Sequence, residues 1–250
     1  MTNEQLLEKM SKDMQMRNFS KYTYYAYMHK GKEIIKYFNK PMEEVTTEEL
    51  RNFLFNYLTE KRKLADRSVN YYNSIIRFMY EVTLDKLINK KQLPMRKRKK
   101  SVYKVLTKEE LSTFFNCVDD YKFKTIFMIA YGSGLRIGEI VNLHISDIDS
   151  KKMRIFVREG KGNKERYTIL SKTSLEMLRT YWSKYRKPVK SDKIFLTELD
   201  EPMTVGVIRD RFRRYRRKAG LNEKVTMHTL RHCYATNLIE NGATLIQVKE

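Results

Sequence analysis

A chain of 250 residues with a hydrophobic fraction of 41% is long enough for one large domain or two ordinary ones, and apolar enough to build a core. Lysine and arginine number 51 against 30 acidic residues, a formal charge of +21, which points to a polyanionic partner, nucleic acid first, over a merely basic globular protein. Two cysteines without a CxxC pair exclude a disulfide framework or a structural zinc site, and the lack of a secretion signal or a long apolar run gives the expectation of a cytosolic protein with no membrane partner.

The first part of the chain reads as helical. Ser20 is placed to cap a helix through Tyr24, Tyr27, Ile34, Ile35 and Phe38, and Lys40-Pro41 breaks it. Thr46 and Glu49 have capping-box spacing, and the helix behind them carries Leu50, Phe53, Leu54, Tyr57 and Leu58 on one face. A further helix starts near Ser68 and aligns Val69, Tyr72, Ile75, Ile76 and Met79. Residues 1–93 are therefore expected to form a small bundle of about four helices.

From Lys90 to Lys104 there are eight basic residues and no acidic ones, with Pro94 between them. Like charges at that density resist packing, so 94–104 is expected to be a linker. Arg96, Lys97, Arg98, Lys99 and Lys100 are candidates to lie along a phosphate backbone rather than to serve as a passive tether.

A second domain, 105–250, opens with another capping box, Thr107 to Glu110, and a helix bearing Leu111, Phe114 and Phe115. An apolar helix through Phe123, Ile126, Phe127, Ile129 and Ala130 stops at Gly132-Ser133-Gly134, and a short helix follows with Glu139, Ile140 and Leu143. Met153–Arg158 and Tyr167–Leu170 alternate around Gly160-Lys161-Gly162-Asn163-Lys164-Glu165-Arg166, the pattern of a β-hairpin. Helices resume around Leu175, Leu178 and Tyr181. Val205, Ile208, Phe212, Tyr215 and Ala219 then mark one stripe of a helix whose other faces are crowded with arginine. Its Arg209, Arg213, Arg214, Arg216 and Arg217 are candidates for DNA contact, with the apolar stripe docking the helix. The expected fold class is mainly α with a small antiparallel β-sheet in the second domain.

Three motifs carry the chemistry. Gly134-Leu135-Arg136-Ile137-Gly138-Glu139, the Gly-Lys-Gly hairpin and His228-Thr229-Leu230-Arg231-His232 occur in an order and spacing that resemble the tyrosine recombinases of the phage integrase family. The resemblance runs from the helical N-terminal part, a core-binding domain of SAM-like type in that family, through the catalytic domain. It implies a two-domain clamp on double-stranded DNA. It also implies strand cleavage and rejoining through a phosphotyrosyl intermediate, with no cofactor, no metal and no small-molecule substrate. The family's catalytic positions fall on Arg136, Lys161, His228 and Arg231. These residue types suit the reaction. Guanidinium forks pair with the non-bridging oxygens as charge builds, lysine brings a proton to the leaving oxygen, and histidine moves the nucleophile's proton.

Each residue also has a plainer role open to it. Arg136 could simply pair with Glu139, Lys161 could be a solvated turn residue, and His232 could pack or hydrogen-bond near the site. His228 and His232 are four apart, but no glutamate follows His228, so the metalloprotease pattern is absent. In the family, a further His or Trp and the attacking tyrosine come after the second arginine. None of the 17 tyrosines here follows Tyr234, which sits on the Arg231 helix and is expected to pack. Gly242 ends that helix, and Thr244 could cap a next one. The resulting expectation is a recombinase truncated before its nucleophile, a homo-oligomer on DNA when full length, which binds DNA without cutting it as given. The alternatives are a non-catalytic DNA-binding fragment that competes for recombination sites, and a relative that relaxes supercoils by type IB topoisomerase chemistry.

Overall fold

Local capping chemistry sets most helix starts, in a computed structural model that describes residues 1–97, 105–158 and 165–244. The chain divides into two compact units, Met1–Ser101 and Val102–Glu250. In the first unit, Thr2 and Gln5 form a reciprocal capping box that starts α1 (Asn3–Met16), which buries Leu6, Met10 and Met14. Ser20 caps α2 (Lys21–Phe38), and Asn39 ends it in the left-handed region at φ 49°. Thr46 and Glu49 make the predicted box at the start of α3 (Thr47–Asn52), with Glu49 N–H donating to Thr46 Oγ1 at 3.3 Å. Next comes α4 (Asp66–Arg77).

Helices α3 and α4 do not end where their α-helical bonding ends. They continue as π-helical stretches, Phe53–Lys61 and Phe78–Thr83, closed by i→i+5 bonds such as Arg62 N–H to the Tyr57 carbonyl at 2.9 Å. The sequence periodicity implied uninterrupted α-helix here. Each π stretch shifts the apolar face relative to that pattern, yet Phe53, Leu58 and Met79 are all buried at 1% exposure or less. The core of this unit centres on Phe53, Tyr72, Ile75 and Ile76. The segment after it is docked rather than free up to Arg96. Asn73 Nδ2 donates to the Pro94 carbonyl at 3.1 Å, and Asn70 exchanges hydrogen bonds with the Arg96 main chain at 2.8 and 3.0 Å.

The second unit is built on α6 (Tyr121–Gly132), whose Phe127, Ile126, Ile129 and Ala130 are fully buried. Ahead of it lies α5 (Lys108–Cys117), capped by the Thr107–Glu110 box. A short α7 (Ile137–Val141) follows the glycine turn. Three antiparallel strands come next in the order β1 (Ile148–Asp149), β2 (Arg154–Val157), β3 (Arg166–Ile169), with Ile155 opposite Thr168 and Val157 opposite Arg166. The hairpin expected from alternation is the β2–β3 pair. The two-residue β1 was too short to leave a periodic signal.

Helix α8 (Lys172–Thr180) runs on as a π turn to Tyr185. After it come α9 (Val205–Lys218) and α10 (Met227–Glu240). Helices α8 and α10 both pack on α6. Ile208, Phe212 and Tyr215 dock α9 as the stripe predicted, with the Phe212 ring 5.1 Å from Phe114. The fold is mainly helical with a small three-stranded antiparallel sheet. No helix among the described residues is long and apolar enough to cross a membrane.

Candidate active site and DNA-binding surface

The turn between α6 and α7 frames the site. Gly134 adopts φ +62°, and a Cβ built there would lie 2.3 Å from Cδ1 of Tyr234, so only glycine fits. The turn's main-chain carbonyls are then claimed from two directions. Thr168 Oγ1 on β3 donates to the Ser133 carbonyl at 2.7 Å, and Arg231 Nη1 on α10 donates to the Gly134 carbonyl. Arg136 is therefore brought into the same neighbourhood as Arg231, although 95 positions separate them in the sequence.

Glu139 organises the near side. Its carboxylate is 6% exposed and accepts Arg136 Nη1 at 2.7 Å, the Arg136 N–H at 2.8 Å, and Arg166 Nη1 and Nη2 at 3.0 and 2.9 Å. Burial alone would push its carboxyl up. The bonds from Arg166 and Arg136 outweigh burial and hold it below the usual carboxylate range. The plainer role foreseen for Arg136, pairing with Glu139, is thus present in the structure. The pairing leaves the guanidinium one-third exposed, with other donors free of Glu139. Glu139 as an organiser and Arg166 as its second partner were missed from sequence. A usable signal existed, because strand alternation puts Arg166 and Thr168 on one face and Thr168 faces the turn.

His228 lies one turn before Arg231 on α10 and opens on the surface. Burial first, then the positive charges of Arg231 and Arg136, hold it below the ordinary histidine value. The neutral imidazole is therefore the resting form near neutrality, able to accept a proton. Protonation is disfavoured in the fold relative to the unfolded chain. Stability is accordingly fullest above about pH 6.5, and declines as pH falls from there toward the lower folded value. An NMR titration is expected to give a His228 midpoint below the ordinary histidine value, and a midpoint at or above that value would separate His228 from the arginines. The His232 ring lies 6.0 Å from the His228 ring. No cluster able to hold a metal ion occurs among the described residues.

An open cleft of about 700 Å³ runs between β3 and α10, lined by Gly134, Arg154, Arg166, Thr168, Arg231 and Tyr234 among others. A separate groove of about 240 Å³ is lined by Ile137, Arg209, Arg213, Arg216, Met227 and His228 among others. The arginines of α9 fall into two groups. Arg209, Arg213, Arg214 and Arg217 are exposed. Arg216 is partly buried and binds the carbonyls of Glu223 and Val225, closing the loop into α10.

Arg96 is also engaged, with Nη1 2.9 Å from Asp66 and Nη2 2.5 Å from Thr59, while Lys97 is exposed. Lys161, Arg98, Lys99 and Lys100 lie outside the described residues, as does the helix expected after Thr244. The first unit contributes a cleft of about 470 Å³ that sequence patterns did not signal, lined by Lys30, Arg62, Arg67, Ser68, Tyr71 and Ser74 among others. Its inner wall is a network in which Lys30 bonds Glu33 and the Tyr72 hydroxyl at 2.7 and 2.8 Å and Arg62 pairs with the same glutamate.

Comparison with known proteins bears on this arrangement. The phage integrase family matches residues 104–250, and the N-terminal SAM-like domain of phage integrases matches residues 6–90. Tyrosine recombinase XerA of Pyrococcus horikoshii is 31% identical over 257 residues, covering 99% of this chain and 84% of that protein. A crystal structure of XerA recombinase superposes with a TM-score of 0.54 at 26% identity, over 99% of this chain and 88% of the other. A lambda integrase tetramer bound to a Holliday junction gives a TM-score of 0.78 over 100% of this chain and 76% of that one, at 20% identity, a likeness of fold. With both parts of the chain matched, and the two signature arginines meeting at one glycine turn, this protein belongs to the phage integrase family of tyrosine recombinases, site-specific recombinases that act on DNA.

Proposed function

We propose that the second unit grips one backbone phosphate of a DNA recombination site between Arg136 and Arg231. His228 handles the proton of the attacking hydroxyl, and Lys161 protonates the leaving sugar oxygen. The observation that carries this reading is the bond from Arg231 to the Gly134 carbonyl, which ties the second arginine to the turn that presents the first. Attack of a tyrosine hydroxyl on the phosphate forms the phosphotyrosyl bond and releases the 5′-hydroxyl of the next nucleotide. The phosphodiester's energy is kept for rejoining. Both guanidinium groups stay charged throughout and stabilise the pentacoordinate transition state more than the ground state.

Among the tyrosines present, Tyr234 comes nearest in sequence to the site, but its ring is packed against Gly134. We therefore expect these 250 residues to bind DNA and to form no covalent adduct. Incubation with a nicked suicide substrate checks this. A stable protein–DNA adduct would contradict it, and mapping the adduct would identify the attacking tyrosine. The same observation favours a second reading, a DNA-bound occupant of recombination sites that performs no chemistry. Binding without cleavage, even when a tyrosine-bearing relative is supplied on the same DNA, would favour that reading.

The exposed arginines of α9 and the basic residues 97–100 provide the backbone contacts, while Arg96 is held by Asp66 and Thr59. Replacing Arg209, Arg213 and Arg214 with alanine together is expected to reduce the slope of log affinity against log salt by roughly one for each phosphate no longer neutralised. An unchanged slope in a salt titration would mean that this face of α9 points away from DNA. Assembly as a homo-oligomer on paired sites, as in the lambda integrase tetramer, is part of the same proposal.

A further inference from the structure

Arg166 stands outside the set of groups assigned to the phosphate, yet the structure spends both ends of its guanidinium on one buried carboxylate. Its two Nη atoms meet the two Glu139 oxygens at 3.0 and 2.9 Å, and its side chain is only 19% exposed. From the opposite side Glu139 takes Arg136 Nη1 and the Arg136 N–H. Four donors occupy the carboxylate, about as many as its lone pairs accommodate. A carboxylate so filled has one usable rotamer, and that rotamer sets where Arg136 Nη1 and the Arg136 N–H are held.

Charge reinforces the geometry. Arg136 and Glu139 alone would form a one-to-one ion pair, leaving little positive charge for a ligand. Arg166 offsets the glutamate from behind. The three arginines Arg136, Arg166 and Arg231 less the one carboxylate leave two net positive charges around the turn. A phosphodiester carries one negative charge, and the pentacoordinate phosphorane formed when an oxyanion attacks carries two. Without Arg166 the groups around the turn would keep one net positive charge in place of two, leaving more of that state to Lys161.

We infer that Arg166 is a positioning residue, which holds Glu139 from strand β3 so that Arg136 stays oriented and its charge stays available for phosphate. The inference rests on the phosphate-binding role proposed for Arg136. Arginine is needed at 166 because a lysine ammonium reaches one carboxylate oxygen well and cannot span both.

The test is side-chain NMR on the 250-residue protein labelled with ¹⁵N-arginine, comparing wild type with Arg166→Ala and Arg166→Lys. In wild type, slow rotation of the Arg136 guanidinium, held on Glu139 through Nη1, gives resolved Nη resonances. They are expected to broaden beyond detection in Arg166→Ala and to fall to intermediate intensity in Arg166→Lys. The Arg231 resonances, anchored on the Gly134 carbonyl, persist in both. A role confined to fold stability would lower the melting temperature and leave the Arg136 resonances sharp, and that result overturns the inference. Removing one partner of a buried ion pair can unfold a domain. If Arg166→Ala does not fold, Arg166→Gln is compared in the same way, and sharp Arg136 signals there are equally fatal. In a version that carries an attacking tyrosine, an Arg136→Ala variant that cleaves DNA normally would instead strike the functional reading and leave the Arg166–Glu139–Arg136 coupling intact.

Discussion

Gly134→Ala is expected to melt about 10 °C below the parent protein, a loss of about 3 kcal/mol in the second unit. Two independent costs add. The left-handed backbone at φ +62° penalises any Cβ by about 1–2 kcal/mol. The new methyl would also overlap the Tyr234 ring, 2.3 Å from Cδ1 and 2.6 Å from Cε1, and overpacking of that kind costs about 1–3 kcal/mol. The double variant Gly134→Ala with Tyr234→Ala separates them. It relieves the overlap and keeps the backbone strain, so calorimetry should show only the backbone part unrelieved, after subtracting the cost of Tyr234→Ala alone. A parent-like melting temperature for Gly134→Ala would mean that the turn and α10 shift freely, and the rigid frame argued for the arginines would be lost.

The second large effect concerns chemistry. In a version of the protein that carries an attacking tyrosine, Arg136→Ala and Arg231→Ala are each expected to slow strand cleavage by at least about a hundredfold to a thousandfold, the usual consequence of removing one transition-state donor. DNA affinity should change by less than about threefold, since it is spread over many phosphate contacts. Arg136→Lys is the sharper probe. It keeps the charge and loses the planar fork, which is shared here between Glu139 and the open side of the site. Cleavage near the parent rate in Arg136→Lys would reduce Arg136 to a point charge. Affinity falling in step with cleavage would make either arginine a binding residue only. Arg231→Ala carries an added cost, because it also removes the donor to the Gly134 carbonyl. Its melting temperature should therefore be measured beside its rate.

What was legible in the sequence followed from local rules. Thr46 with Glu49, Thr107 with Glu110 and Ser20 each signalled a helix start that the structure contains, because capping is decided within four residues. The stripe through Ile208, Phe212 and Tyr215 was equally readable, since burial on one face imposes the helical period. The π stretches after Asn52 and Arg77 were not readable, because apolar residues populate both registers and only packing chooses between them. Helix α1 was not assigned from sequence, although Thr2 and Gln5 have box spacing and Leu6, Met10 and Met14 recur at helical intervals. Within the site, the motifs named Arg136, His228 and Arg231 and local spacing offered Glu139 to Arg136, whereas Arg166 as the second partner of Glu139 and the Gly134 carbonyl as the acceptor for Arg231 required tertiary information. The Arg166–Glu139 pair joins β3 to α7 across 27 positions, a distance over which no periodicity speaks. Arg96 and Arg216 illustrate the opposite limit. Both looked like free cations in a basic run, and both are committed to protein acceptors, Arg96 to Asp66 and Thr59, Arg216 to loop carbonyls.

The anchoring of the α6–α7 turn through peptide oxygens has a bearing on divergence. Thr168 and Arg231 hold on to Ser133 and Gly134 by groups that every amino acid possesses. Side chains at position 133 can drift without untying either anchor, provided they fit, while the spacing of the turn cannot. A lineage built this way can lose nearly all recognisable letters around its reactive centre and still set two guanidinium groups at a constant separation. The features that must survive are a residue count, one glycine and two donors, which is a short specification.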